Sequence, residues 1–357
     1  MKNRIEKLRQ KLDEKGLDGI LISQAQNRRY LSGFDGSAGY LLITPKSSIL
    51  ATDFRYTEQA KAQAPDYEIF KISGRMAEWF PSLLAEVDLS KLGFEAEDVT
   101  FTMHRELSRI VRKAKAGTRL VPADGLVESL RAVKEPEEIG FISRAVEIAD
   151  RAFEDVEGKI KAGMTEKEIA WELEKSVREQ GSEAVPFDII VASGPNAALP
   201  HHKPSERKIK AQEPIVIDMG AKVGGYCSDL SRTVYLDIPP YKEDICNRVY
   251  DTVLGAQLAA IAMIREGMTG EEADHIPRLM IQDAGFGDAF GHALGHGVGL
   301  AAHEMPRVGP NSKDILTEGM VFSVEPGIYL SGWGGVRIED LVVMENGKTR
   351  VLSKAKK

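Results

Sequence analysis

Four carboxylates and one imidazole are the residues of this chain best suited to chemistry: Asp218, Asp229, Glu325, Glu339 and His296. The acids come in two pairs, each within an apolar, strand-like segment. The first segment is PIVIDMGAKVGGYCSDLSRTVYL, residues 214–236. The second is MVFSVEPGIYLSGWGGVRIEDLVVM, residues 320–344. His296 lies between them in GHALGHGVGLAAHEMP, residues 291–306. Four acids gathered at one point repel one another, and a buried carboxylate without a partner is costly. Two divalent cations would cancel that charge, and oxygen-rich ligation suits hard metals such as Mn²⁺.

The other histidines differ in context. His292 precedes His296 by four positions, and Gly295, Gly297 and Gly299 disfavour a helix there. Even spacing is expected to keep both on one side of a strand. His303 follows in the same Gly-rich stretch, and His201 and His202 lie in the loop ALPHHKPS. His104 and His275 fall on predicted helices among charges and receive no role. Arg337 and Glu339 are two apart on a predicted strand, hence on one face, where an Arg can orient a liganding carboxylate.

The elements that must position these residues are legible in outline. With 357 residues the chain exceeds the size at which one core stops growing, so two domains are expected. Helical spacing marks residues 3–15, 78–87 and 103–116, and apolar runs mark strands at 19–23, 40–44 and 47–53. Pro136, followed by Glu137 and Glu138, suits the start of a long helix. The boundary is placed just before it, giving an α/β domain over 1–127 and a second domain over 128–357. That second domain contains an echo. IKAGMTEKEIA begins at Ile160 and IREGMTGEEAD at Ile264, and each carries a T-x-x-E capping box, Thr165/Glu168 and Thr269/Glu272. The acid pairs are displaced along the chain by nearly the same amount as the two boxes. A duplicated α+β domain is therefore expected, each half giving one two-acid hairpin to a central site.

Composition excludes several classes. Net charge is −7, with acids and bases mixed, which argues against a nucleic-acid or anionic-membrane surface. No apolar stretch approaches the length that spans a bilayer, and the charged start MKNRIEKLRQKLDEKGLDG has no signal-like core. Two cysteines, Cys227 and Cys246, make no disulfide framework, so a reducing cytoplasm is expected. Gly33-x-x-Gly36-x-x-Gly39 does not fit the dinucleotide fingerprint and reads as turn glycines.

Residues 128–350 resemble the proline-specific metallopeptidases of the pita-bread fold, aminopeptidase P and prolidase, related to methionine aminopeptidase and metal-free creatinase. The ligand types occur in the family's order: Asp218 in IDMG, Asp229 in CSDLSRT, His296 in GHGVG, Glu325 in VEPG and Glu339 in VRIED. The resemblance implies that these five hold two divalent ions, most simply Mn²⁺, with Co²⁺ or Zn²⁺ as alternatives. It implies that Asp229 and Glu339 bridge both ions and that Glu325 also shuttles protons. His201, His292 and His303 match histidines that hold substrate, and Tyr329 and Arg337 fall on motif positions. Residues 1–127 resemble the creatinase-type amino domain, which implies a cleft wall and a homodimer. SGFDGSAG and TDFRYTEQA are closer to the aminopeptidase P branch, whereas HEMPR places Arg307 where prolidases carry an arginine near the product carboxylate.

The implied substrates are short proline-containing peptides. The resemblance implies that two bound cations would lower the pKa of a water for attack on the carbonyl before proline, while Glu325 would pass its proton to the leaving nitrogen. The sequence thus favours an Xaa-Pro aminopeptidase, with Xaa-Pro dipeptidase as the alternative. A non-catalytic peptide-binding relative is a third reading, but such proteins lose ligands, and here all five are present.

Overall fold

A computed structural model describes residues 2–87, 89–114, 117–236 and 245–357. Two compact units divide between Arg131 and Ala132. No helix among the described residues is long and apolar enough to cross a membrane.

The first unit is a six-stranded sheet with helices. Its strands are β1 (Gly19–Ile22), β2 (Tyr40–Ile43), β3 (Ser48–Asp53), β4 (Glu68–Ile72), β5 (Lys91–Phe94) and β6 (Arg119–Pro122), in the order β4-β3-β2-β1-β5-β6. The helices are α1 (Lys2–Glu14), α2 (Ala25–Ser32), α3 (Thr57–Gln63), α4 (Met76–Ala85), α5 (Phe101–Ala114) and α6 (Glu128–Ala132), the last straddling the division. The apolar stripe of α4 (Trp79, Phe80, Leu83, Leu84) and that of α5 (Leu107, Ile110, Val111) pack with Leu21, Leu42, Ile49 and Leu92 of the sheet. Gly33 ends α2 in the left-handed conformation at φ 80°, a turn role of the kind expected for it. The helix expected over 103–116 is described to Ala114, and residues 115 and 116 lie outside the described residues.

The second unit is built in two similar halves. The first half has α7 (Pro136–Glu157), α8 (Glu166–Glu179), β7 (Ile190–Ser193), β8 (Pro214–Met219), the ribbon β9 (Lys222–Val223) with β10 (Tyr226–Cys227), and β11 (Leu230–Tyr235). The second has α9 (Ile245–Met263), α10 (Gly270–Asp283), β12 (Gly295–Gly297), β13 (Glu304–Val308), β14 (Val321–Val324), the ribbon β15 (Gly327–Leu330) with β16 (Gly334–Arg337), β17 (Asp340–Glu345) and β18 (Lys348–Val351). Both expected capping boxes form. Glu168 N donates to Thr165 Oγ1 at 3.2 Å and Glu272 N to Thr269 Oγ1 at 3.1 Å, starting α8 and α10.

The sheets are antiparallel: β11-β8-β7 in one half and β13-β12-β14-β17-β18 in the other. Helices α7 and α8 bury Phe153, Val156, Ile169, Leu173 and Val177 against Ile215 and Ile217. The central hairpins meet edge to edge, with Glu339 N donating to Ser231 O at 3.0 Å and Arg337 N to Thr233 Oγ1 at 3.0 Å. This is the pita-bread architecture: the helices lie outside, and the strand ends that carry the acids lie inside.

Candidate metal centre and substrate pocket

Each acid stands where a strand ladder begins or ends. Asp218 is on β8 opposite Ser231, and Asp229 immediately precedes β11. Glu325 immediately follows β14, and Glu339 immediately precedes β17. Strand ends free a side chain from the alternating in-and-out pattern while the apolar ladder fixes the backbone behind it. His296 is the middle residue of three-residue β12, and its flanking glycines are required by close approach. A Cβ at Gly295 would lie 2.0 Å from Ser323 O, and one at Gly297 2.0 Å from Met305 O. His292 lies before this strand, not on it, so the single strand expected to carry both histidines is absent. Their spacing reflects a loop fastened separately, as described below.

The five residues converge on one cavity of about 670 Å³. Ligand atoms of Asp229, His296 and Glu339 all lie within 4.8 Å of one another. His296 Nε2 is 3.2 Å from Glu325 Oε1 and 3.8 Å from Asp229 Oδ2. His296 Nδ1 donates to Gly297 O at 3.2 Å, which leaves Nε2 as the nitrogen turned to the carboxylates; a proton held there donates to Glu325, and its release frees a lone pair for a cation. His296 N donates to Ser323 Oγ at 3.0 Å, and that hydroxyl donates to Glu325 Oε1 at 2.9 Å. Arg337 does not pair with Glu339, the acid two residues on. Its Nη2 meets Asp218 Oδ2 at 2.6 Å, and its Nε donates to Ser231 Oγ at 2.8 Å, which donates to Glu339 Oε2 at 2.9 Å.

The protein alone does not balance this charge. Burial, then repulsion from the neighbouring acids, pushes Asp229 and Glu339 well above the usual carboxylate range. Asp218 is raised by burial and by Glu325, against the pull of Arg337. Burial would raise Glu325 too, but the hydrogen bond and charge of His296 bring it down to about 2. Asp218 Oδ1 and Glu339 Oε1 are buried with no hydrogen-bond partner among the described residues. Two orphaned carboxylate oxygens and an imidazole lone pair in one acidic pocket fit divalent cations.

The remaining predicted residues line the same cavity: His201, His292, His303 and Arg307. The His303 ring lies 4.0 Å from that of His296, and burial together with that neighbour lowers its pKa. Burial also lowers His292. Its Nδ1 faces Ala293 O at 2.8 Å and its Nε2 faces Tyr329 OH at 2.9 Å, a hydroxyl that burial keeps protonated. Neutral His292 thus accepts from Tyr329, which in turn receives Arg337 Nη1 at 3.1 Å.

Sequence reasoning passed over several supports. Ser231 and Ser323 are the hydroxyl links above. Glu166, fully buried, accepts from Ser193, Asn196, His202 and Ser205, with His202 Nε2 at 2.8 Å. These bonds outweigh its burial and lower its pKa to about 2. Glu166 ties down the loop that carries His201. It stands beside the capping Thr165, in a motif where only the cap was read.

Two family models cover most of the chain. Residues 140–346 match metallopeptidase family M24, and residues 4–133 match the creatinase/prolidase N-terminal domain. The chain belongs to metallopeptidase family M24. The likeness extends over whole chains. The structure of the Xaa-Pro dipeptidase from Bacillus anthracis is 41% identical, with a TM-score of 0.94, covering 99% of this chain and 98% of that one. The X-Pro aminopeptidase from Thermotoga maritima MSB8 is 38% identical with a TM-score of 0.86, covering 96% of each. The Xaa-Pro dipeptidase of Pyrococcus horikoshii is 35% identical, covering 98% of this chain and 97% of its own. This M24 chain is therefore a hydrolase, of a family that works with divalent metals.

Proposed function

We propose that the chain is an Xaa-Pro dipeptidase that uses two divalent cations, most simply Mn²⁺. Asp218, Asp229, His296, Glu325 and Glu339 would hold the ions. The orphaned oxygens of Asp218 and Glu339 support this assignment. The bound ions would supply Lewis acidity and lower the pKa of water near the substrate carbonyl.

The chain's own residues do the rest. Glu325, in contact with His296, is placed to take a proton and return it to the leaving proline nitrogen. His201, His292 and His303 line the same cavity and would face the substrate carbonyl, and Arg337 holds Asp218 and Tyr329 in place. Phe187, Ile189, Pro200 and Pro204 form an apolar wall suited to a pyrrolidine ring. Proline-specific recognition suits such a wall, because the X–Pro amide offers no N–H.

The observation that carries the choice of dipeptidase is Arg307. It lines the pocket, its Nη1 donates to Pro310 O at 2.7 Å, and no carboxylate pairs with its guanidinium among the described residues. An exposed guanidinium in the pocket suits the free carboxylate of a dipeptide. The aminopeptidase reading favoured by the sequence stands second, supported by the SGFDGSAG and TDFRYTEQA segments and by the likeness to the Thermotoga enzyme. The test is kcat/KM for Xaa-Pro against Xaa-Pro-Yaa-Zaa, in the natural chain and in Arg307→Ala. Losing a charge-assisted hydrogen bond is expected to lower dipeptide cleavage by roughly 10- to 100-fold and to spare longer peptides. Equal loss on both substrates contradicts the carboxylate role, and cleavage of only the longer peptide makes the chain an aminopeptidase.

His303→Ala separates ligand from substrate contact. It should leave the metal content of the purified protein unchanged and lower kcat about 100-fold. Loss of one metal equivalent would make His303 a ligand. A homodimer in the cytoplasm completes the proposal. It rests on the creatinase-type amino domain and on the two cysteine thiols, and light scattering tests the dimer.

A further inference from the structure

Arg278 stands one turn after Asp274 on α10, and the two form a bidentate pair. Nε meets Oδ2 at 2.7 Å and Nη2 meets Oδ1 at 2.8 Å. Asp274 is only 2% exposed, so this is not a solvated surface bridge. Both members reach beyond the helix to one short segment. Arg278 Nη1 donates to Phe290 O at 2.9 Å and Nη2 to His292 O at 2.8 Å. Leu294 N donates to Asp274 Oδ1 at 2.9 Å. The guanidinium also lies 4.2 Å over the Phe290 ring, which meets the His292 ring edge-on at 5.1 Å. Residues 291–294 belong to no helix or strand. Alternate backbone groups at 290, 292 and 294 are instead bound to one ion pair.

We propose that the Asp274–Arg278 pair is the positioning device for His292 and acts on turnover only through that histidine. The inference rests on the reading that His292 touches substrate. With its carbonyl held by Arg278, Nδ1 on Ala293 O and Nε2 on Tyr329, the imidazole has one place and one tautomer. The planar guanidinium fork is needed because one side chain serves two carbonyls and a carboxylate in different directions. A lysine ammonium, which is a single point of charge, cannot do this. Misplacing a group that acts on the reacting atoms by about 1 Å can cost on the order of 100-fold in rate.

A double-mutant cycle in the metal-loaded, full-length enzyme tests the inference on an Xaa-Pro dipeptide. His292→Ala is expected to lower kcat about 100-fold. Arg278→Met is expected to lower kcat about tenfold, with KM changed less than about twofold. The double variant should match His292→Ala alone within about twofold, because the second change has nothing left to position. Losses that multiply overturn the proposal, since they show Arg278 acting elsewhere or on folding. Arg278→Lys, which keeps the charge beside Asp274, should melt near the natural protein yet still lose turnover; full activity in it overturns the need for the fork. Hydrogen exchange supplies a reading independent of substrate. The Leu294 amide should exchange faster in Arg278→Met but not in His292→Ala, and unchanged exchange in Arg278→Met also overturns the clamp. A natural protein that cleaves no Xaa-Pro bond would instead overturn the functional reading, leaving exchange to decide the clamp.

Discussion

Asp229→Asn is expected to lower kcat by roughly 10⁴-fold, the scale of losing a group that acts directly on reacting atoms. It should also reduce the metal bound per chain. Asp229 is buried where the two hairpins converge, within reach of His296 and Glu339. Asparagine keeps its volume but removes the negative charge that a hard cation requires. The fold should survive, because the backbone at 229 is held by the β8–β11 ladder on one side and the β9–β10 ribbon on the other. In the metal-free protein the variant should be more stable than the natural chain, since it removes a buried, repelling carboxylate. Steady-state kinetics, metal analysis and chemical denaturation read the three outcomes. Natural turnover in Asp229→Asn would remove this residue from the centre.

The second large effect is an inverted pH dependence of stability in the chelated protein. Asp229, Glu339 and Asp218 have raised folded pKa values, and so does His296, where the bond to Glu325 overcomes burial. Such groups bind protons in the folded state that the unfolded chain has already released. Their contribution is complete below the unfolded pKa and is lost as pH rises through the folded value. For the three acids that loss begins above about pH 4, and for His296 above about pH 6.5. Glu325, depressed to about 2, works the other way. Its contribution is complete above about pH 4.5 and is lost only in stronger acid. From pH 5 upward the raised groups therefore dominate. Metal-free protein should lose up to about 1.4 kcal/mol per pH unit for each carboxyl still protonated. Saturating Mn²⁺ should abolish the trend, because the cations replace the protons. Urea denaturation at pH 5 and pH 8, with and without metal, makes the measurement; equal stability at both pH values without metal would contradict it.

Much of this site was legible because its residue types have few cheap alternative explanations. Asp218, Asp229, Glu325 and Glu339 stand out since charged side chains rarely close apolar strands, and Gly295 and Gly297 mark a backbone squeezed between neighbours. The repeated Gly-Met-Thr showed the duplication through a local rule, the capping box. What stayed hidden depends on contacts far apart in the chain. Nothing local distinguishes Glu166 from an exposed helix-start acid, yet it gathers side chains from 193 to 205. The Arg337–Asp218 pair spans the two hairpins, so the sequence neighbour Glu339 was the wrong partner to consider. Strands β4 and β6 were missed because they lack a buried alternating face, and β5, KLGF, because Gly93 in its interior weakens the strand pattern.

Two divalent cations are proposed to complete this acidic pocket. The most direct test is a titration of chelated, full-length protein with Mn²⁺, following bound metal and Xaa-Pro dipeptide hydrolysis in the same samples. Saturation is expected at two ions per chain, with activity absent at zero metal and restored as the ions bind. Hydrolysis at the full rate in metal-free protein would contradict the proposal.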